Sequence, residues 1–440
     1  MLVCASVVAA SSGVALGREM ALSDCISAAL QANRTIAGSR ENLAQARAGI
    51  REARSGFLPN VSLSGSYNFI EELQTIDFPL PTGGTEQMKV DFTYDYLMNV
   101  AFSQPLYTGG RLWSSYRIST VSRDVAQADF ERLESDVALS VITTFYSYLL
   151  AKESVVVAQE AISTAEEFLR VVRARYDQGE ASSFEVMRAE VEVSNLTPAL
   201  INARNAVALS ELALKNEMGV PLGEDIQFRG SFDEKVLEIN AADAVSRALK
   251  NRPELKIVRS RVEIAERSLT LAKAGRLPTF AVTADYNLAS NSLSLEGHVS
   301  DNTFNAFLVV SLPIFDGFKT KSRIARSRSE IRQAGISLAQ LEEAIELEVR
   351  SSLLDLQASR ESLRSQEKSV GVAEEGLRIA NDRYVQGLAT NLDVMDAQLA
   401  LTTARNNRLQ ALHDLSLATA SLERSMGVLL EEGASGIGGE

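Results

Sequence analysis

The chain reads as a mainly α-helical protein with a small β part, written twice in tandem. Three observations carry this reading. Matched residues recur at a constant offset over most of the 440 positions, long tracts keep a seven-residue apolar repeat, and short apolar/polar alternations sit at equivalent points of each copy. Composition agrees, because aromatics are only 6% and Ala, Ser, Leu, Glu and Arg dominate, the mixture of long packed helices. A formal charge of −13 argues against a nucleic-acid partner held by phosphate neutralisation, and no basic run offsets it.

Taking the elements in order, Met1 to Gly17 is uncharged and apolar and reads as an export signal ending in the small-residue site Ala15-Leu16-Gly17. Cys4 follows Val3 rather than a small residue, which argues against lipid attachment. Removing the signal leaves Cys25 as the sole thiol, which excludes an intrachain disulfide and a cysteine-based metal site. No later stretch has the roughly 18 to 20 uninterrupted apolar residues of a spanning helix. Any membrane role must use strands or a surface.

Tyr176 pairs with Tyr384, Gly179 with Gly387, and Met218-Gly219-Val220 with Met426-Gly427-Val428, all at an offset of 208. Pro105 and Gly109 pair with Pro313 and Gly317 at that same offset, whereas upstream Leu58-Pro59 and Tyr67 pair with Leu277-Pro278 and Tyr286 at 219. The 11-residue difference places extra chain between Glu71 and Lys89, whose Pro, Gly and polar content predicts a loop. The chain therefore divides into a signal at 1–17, repeat 1 at 18–220, a connecting segment at 221–239, repeat 2 at 240–430 and a flexible tail at 431–440.

Each repeat carries two strands, expected at about 58–70 and 89–104 and again at about 277–289 and 303–313. Val61, Leu63, Tyr67 and Phe69 alternate with polar residues, as do Phe304, Leu308, Val310 and Leu312 with their neighbours, so each strand has one apolar face. Pro105 and Gly109, with Pro313 and Gly317, mark where strand hands over to helix. Trp113, just beyond, suits an interfacial aromatic.

A heptad then runs through Val141, Tyr148, Val155, Ile162, Leu169 and Tyr176, and in the second copy through Val349, Leu356, Leu363, Val370, Leu377 and Tyr384. Leu112 to Gln178 holds no proline, which predicts a helix of about 100 Å. Gly179 and Gly387 follow the seam tyrosines, where a helix end favours a left-handed residue. Ser182 with Glu185, and Thr390 with Asp393, have capping-box spacing. Each repeat thus makes a helical hairpin, with tips at 177–183 and 385–391.

Four strands cannot close a transmembrane barrel, since the smallest need about 8, and an open edge cannot face lipid. Copies of the chain must share one barrel: two would give eight strands, three twelve and four sixteen.

Several stretches together resemble a known family. They are Ala21-Leu22-Ser23-Asp24 leading to Asn33, the Leu-Pro strand starts at 58 and 277, and the junctions Pro105-Leu106-Tyr107-Thr108-Gly109-Gly110-Arg111 and Pro313-Ile314-Phe315-Asp316-Gly317-Phe318-Lys319. The tip Tyr384-Val385-Gln386-Gly387 followed by Leu392-Asp393-Val394-Met395-Asp396-Ala397 adds the most. Over its mature length the chain resembles the TolC-like outer-membrane efflux proteins. The resemblance implies a homotrimer, with an α-barrel of long coiled-coil hairpins across the periplasm and a shared 12-stranded β-barrel in the lipid of the bacterial outer membrane. It implies a passive exit duct for efflux or type I secretion, recruited by a periplasmic adaptor (membrane fusion) protein and an inner-membrane RND or ABC transporter, without a cofactor. Asp393 and Asp396 would line the periplasmic entrance in rings, and Glu185 and Tyr384 would hold the tip shut. The family has a basic residue two positions after the tip glycine where this chain has Ala389, and Arg188 offers a charge nearby.

Two other readings compete. A non-channel coiled-coil scaffold or membrane-curving protein would explain the heptads and the acidity but not the amphipathic strands. An enzyme finds no support in the motifs: His298 and His413 stand in no recognised catalytic spacing, and no Gly-rich phosphate loop follows a strand, so no catalytic, metal or cofactor residue is assigned. Asp393, at the third helical position, also has a plain role as a cap. Asp396 lies beyond that zone, and its counterpart in the first copy is Arg188.

Overall fold

A computed structural model of the chain describes residues 18–69, 74–81, 83–90, 96–232, 239–290 and 299–430. The export signal, the tail at 431–440, residues 233–238 of the connecting segment and His298 lie outside the described residues. Two compact units are formed, one from 1–42, 127–256 and 339–440, the other from 43–126 and 257–338.

In chain order the first copy contributes β1 (Arg18–Met20), α1 (Leu22–Ala32), α2 (Arg34–Ser55), β2 (Asn60–Tyr67), β3 (Gln74–Leu80), β4 (Gly84–Val90), β5 (Tyr96–Tyr107), α3 (Arg111–Asp177) and α4 (Ser183–Met218). The connecting segment carries β6 (Ile226–Phe228), and the second copy contributes α5 (Ala241–Asn251), α6 (Pro253–Ala274), β7 (Thr279–Ser290), β8 (Val299–Ser311), α7 (Lys319–Val385) and α8 (Asn391–Ser425). The long helices α3 and α7 are both 67 residues, so duplication extends to element length.

In the strand-bearing unit β2, β5, β7 and β8 form one antiparallel sheet in that order, leaving β2 and β8 as edges. One face is apolar and open: Val61, Leu63, Phe304, Leu308 and Val310 are all exposed. On the other face Asn99 donates to Asn287 (2.6 Å), and Asn287 and Asn305 both donate to Asp285 (2.8 and 3.0 Å), a polar ladder across β5, β7 and β8. Phe307 and Val309 share the side of Asn305 on β8, so alternation there is less strict than on β2.

Two expectations need correction. The stretch between Glu71 and Lys89 is not an irregular loop: its described residues form β3 and β4, an antiparallel hairpin running from Gln74↔Val90 to Leu80↔Gly84. Thr75, Ile76 and Phe78 supply strand formers and Gly83, at φ +90°, supplies the turn, so the extra residues pair with each other. The second strand, expected at about 89–104, runs from Tyr96 to Tyr107, because Lys89 and Val90 belong to β4 and Pro105 stays in the strand opposite Ala281 at a bulge. A proline is tolerated there because a bulge leaves one residue out of the ladder. Pro313 does fall beyond its strand. Gly109 and Gly317 are both left-handed at φ +63°, and a Cβ on Gly109 would lie 2.8 Å from that of Leu277. Near the first junction, the exposed Phe57 and Trp113 and the half-buried Tyr116 cluster, with Phe57 edge-to-face to each of the other two rings.

In the helical unit the heptad seam is the core. Val141, Phe145, Tyr148 and Leu149 of α3 pack with Cys25 and Ala29 of α1, Leu214 and Met218 of α4 and Phe228 of β6. Burial pushes the Cys25 thiol up to about 12, so it is a small apolar filler and not a nucleophile. Gly219 ends α4 in the left-handed region at φ +71°, and a Cβ there would lie 2.6 Å from the Ala32 carbonyl oxygen. The amide of Asn33 donates to the Glu217 carbonyl at 2.7 Å. The second copy repeats this docking with Gly427 and Arg252, and there the buried guanidinium is paired with Glu254 (3.1 Å) and Glu348 (2.5 Å). Arg424 joins Glu254 and Glu348 to Asp136 at 3.4, 3.4 and 2.6 Å.

Candidate functional site: the paired hairpin tips

Both tips lie in the helical unit, and both are built by the same local chemistry. At the end of α3 the Gly179 N–H bonds the Tyr176 carbonyl (2.9 Å) and the Glu180 N–H bonds that of Arg175 (2.8 Å); Gly387 and Leu388 repeat this on Tyr384 and Arg383 (3.0 and 2.8 Å). The left-handed φ of +80° at Gly179 and +73° at Gly387 makes these closures possible without strain. Each return helix opens on a reciprocal cap. Ser182 accepts from the Glu185 N–H while Glu185 Oε1 accepts from the Ser182 N–H, both at 3.3 Å. Thr390 accepts from the Asp393 N–H at 3.3 Å, and Asp393 Oδ2 accepts from the Thr390 N–H and hydroxyl at 2.7 Å each.

Side chains then join the two tips. Tyr384 is buried (3% exposed), its ring set against Phe168 at 5.0 Å, and its hydroxyl donates to Glu185 Oε2 at 3.1 Å. Burial, and then the Glu185 carboxylate that the phenol donates to, raise its pKa to about 12. Arg175 lies 4.9 Å over the same ring and donates to the Tyr384 carbonyl oxygen, while Asn391 donates to the Glu185 carbonyl at 3.0 Å. Val172, Ala189, Leu377, Val394 and Leu401 complete an apolar cluster beneath. One hydroxyl, one guanidinium and one amide thus tie hairpin to hairpin above a packed base.

Of the residues singled out in the sequence, Glu185 and Tyr384 are brought together. Arg188, half-buried, forms no ion pair among the described residues. Asp393 is exposed and works as a cap, its carboxyl held below the usual carboxylate range by the Thr390 N–H and hydroxyl. Asp396 is exposed three residues on, along the same helix face. Sequence reasoning missed Arg175, Phe168 and Asn391. Arginine stands at 175 and at 383 alike, so spacing alone does not tell which one reaches across.

One constellation has the look of catalysis. His413 Nε2 lies 3.5 Å from Ser147 Oγ, and its Nδ1 lies 3.2 Å from Asp414. The Ser147 hydroxyl, however, donates to the Thr143 carbonyl at 2.8 Å, and mid-helix backbone N–H groups are consumed by the helix, leaving no oxyanion donors beside it. The group packs helix to helix.

The family model described as outer membrane efflux protein matches residues 25–220 and 244–428, one segment per repeat. The outer membrane efflux protein BepC of Brucella suis biovar 1 (strain 1330) is 24% identical over 441 residues, covering 96% of this chain and 90% of BepC. The alkaline protease secretion protein AprF of Pseudomonas aeruginosa is 22% identical, covering 78% of this chain and 72% of its own. Among solved structures, the outer membrane protein VceC from Vibrio cholerae superposes with a TM-score of 0.75 at 18% identity, over 92% of this chain and 96% of VceC. The transmembrane channel CusC gives a TM-score of 0.78 at 17% identity, over 92% of each chain. A duplicated helical hairpin, an open amphipathic sheet and these matches lead to one assignment: the chain belongs to the outer membrane efflux protein family, a family of outer-membrane channels and not of enzymes.

Proposed function

We propose that three copies close their sheets into one 12-stranded barrel, and that the helical hairpins of the trimer wall a duct opened at its tips by a periplasmic adaptor and an inner-membrane transporter. The observation that carries this is the four-stranded sheet, with edges at β2 and β8 that are unpaired among the described residues and an exposed apolar face. Lipid cannot satisfy unpaired edge groups, so the edges must meet other copies. The Phe57, Trp113 and Tyr116 cluster suits the aromatic girdle at a membrane boundary. Relatives are named both for efflux of toluene and for secretion of proteases, so the substrate is chosen by the transporter, RND or ABC, and the duct is passive. In this reading the Tyr384–Glu185 contact keeps the entrance shut, and Asp393 and Asp396 ring it with carboxylates that favour cations. The β3–β4 hairpin faces the cell exterior.

Light scattering of the detergent-solubilised protein tests the reading. A mass three times that of the chain is expected, and a monomer would sink it. An epitope tag at Gly83 should be labelled on intact cells, and labelling only after permeabilisation would invert the topology.

A further inference from the structure

Within the chain, one flank of the first hairpin packs on the opposite flank of the second. Phe168, Arg175 and Glu185 come from the first hairpin, and Tyr384, Leu377 and Asn391 from the second. The offset of 208 maps each flank onto its counterpart in the other hairpin. Phe168 becomes Gly376, Arg175 becomes Arg383 and Glu185 becomes Asp393, whereas Tyr384 becomes Tyr176. Among the described residues these counterparts make no hydrogen bond or ion pair to the other hairpin of the same chain. Tyr176 is 48% exposed and its hydroxyl makes no hydrogen bond among the described residues. Opposite in kind is an open groove of about 790 Å³ between α7 and α8, lined by small residues such as Ser365, Ser369, Gly376, Ala400 and Ala404. A Cβ on Gly376 would meet nothing within 4 Å.

We propose that, between neighbouring copies, Tyr176 of one copy seats in this groove over Gly376 of the next and donates its hydroxyl to Asp393, repeating across the subunit boundary the Tyr384–Glu185 contact made inside each chain. The proposal rests on the trimeric reading above and names the contact that reading leaves open.

Two differences between the flanks compensate each other. Asp393 is one methylene shorter than Glu185, so a tyrosine must come closer to reach it. Glycine at 376 in place of phenylalanine removes the ring that would stop that approach. The hydrogen-bonding capacity also matches. Glu185 gives Oε1 to its own cap and Oε2 to Tyr384, and Asp393 gives Oδ2 to its own cap, leaving Oδ1 with no partner among the described residues. Arg383 is exposed, and its one hydrogen bond among the described residues is to the Leu388 carbonyl at 3.3 Å, so it is placed beside Asp393 to take the role of Arg175 on the backbone of the incoming Tyr176. The occupant is therefore a second copy of this chain: its first hairpin carries the side chain that fits, at the register the intrachain contact already uses.

The test uses the full-length protein in detergent. Tyr176→Cys combined with Gly376→Cys should, on mild oxidation, give a reducible ladder up to a three-chain species that neither single variant gives. An independent readout is channel opening in planar bilayers. Tyr176→Phe and Asp393→Asn should each raise open probability roughly tenfold, and the double variant no further, as for two ends of one hydrogen bond. A trimer by light scattering that yields no ladder, with additive effects of the two variants, overturns this contact and leaves the trimer standing. A monomer by light scattering overturns the trimer and the contact together.

Discussion

Tyr176 and Tyr384 end the same heptad seam, follow the same register and precede the same left-handed glycine, yet one is 48% exposed and the other 3%. Their backbones do not differ in kind; what differs is what each side chain meets. Tyr384 finds Phe168, Arg175 and Glu185 across the hairpins of its own chain, while of the equivalent residues of the second hairpin, Gly376, Arg383 and Asp393, the two charged ones bond only within that hairpin among the described residues. The comparison separates two layers of the molecule. Caps and glycines that satisfy helix ends recur in both copies, because any hairpin of this kind needs them. Side chains on the flanks diverge, because one flank is used inside the chain and its counterpart faces outward.

The largest contrast should come from truncating the two tyrosines. Tyr384→Ala removes a buried aromatic and should destabilise the tip by about 3–5 kcal/mol, whereas Tyr176→Ala should change the stability of the chain by about 0.5 kcal/mol or less. Hydrogen exchange at the tip ends of α3, α4, α7 and α8, measured on the unassembled chain, reads both. Equal effects would mean the burial difference has no energetic content.

A second contrast concerns the glycines that dock each helical hairpin on the start of its repeat. Gly219→Ala must place a Cβ 2.6 Å from a carbonyl oxygen, while at Gly427 the nearest atom is the Arg252 nitrogen at 3.1 Å. Both lose about 1 kcal/mol from the left-handed backbone. Gly219→Ala should therefore lower the unfolding midpoint further, and the reverse order would show that the α1–α2 break yields more readily than its counterpart in the second copy.

Much of this was legible in the sequence, for physical reasons. A seven-residue period over some 67 positions has few interpretations, and the seam residues Val141, Val349 and Leu356 are buried as that period requires. Capping boxes are local, so Ser182 with Glu185 and Thr390 with Asp393 could be read from spacing alone. Contacts between residues far apart could not. Nothing near Arg175 says that it, and not Arg383, crosses to the other hairpin, and nothing near Ser147 points to His413. The β3–β4 hairpin was hidden by its prolines and glycines, which mark a loop and a turn equally well. Pro105 reads as a strand end because proline lacks the ladder donor, and a bulge resolves that conflict differently.

A smaller effect is a pH dependence confined to one tip. The Tyr384 phenol has its pKa pushed up to about 12, from an ordinary value near 10, by burial and by the Glu185 carboxylate. A raised pKa means that the neutral phenol is favoured in the fold. Its contribution is fully present below about 10 and is lost as pH climbs toward 12. Exchange at the tip should rise across that window in the wild type, and Tyr384→Phe should flatten it. A window that survives in Tyr384→Phe would assign the transition to another group.

The smallest change in stability is expected at Asp396, and there the comparison of tips meets the proposed function. Asp393 and Asp396 share a helix face, but they are not equivalent. Asp393 is tied into the Thr390 cap, and its lowered pKa means that its contribution to the fold is present at neutral pH and fades as acid protonates it. Asp396 is exposed and makes no hydrogen bond or ion pair among the described residues, and its counterpart in the first hairpin is Arg188, so helix capping does not require an acid there. Asp396→Ala should leave thermal unfolding and trimer mass unchanged while weakening block of the channel by a trivalent cation added from the periplasmic side. Asp393→Ala should weaken the block and also speed exchange in the first turn of α8. Single-channel recordings with the cation added to each side in turn, paired with unfolding curves, separate the two roles. Block that persists unchanged in the double variant would remove both carboxylates from the entrance and leave Asp393 as a helix cap alone.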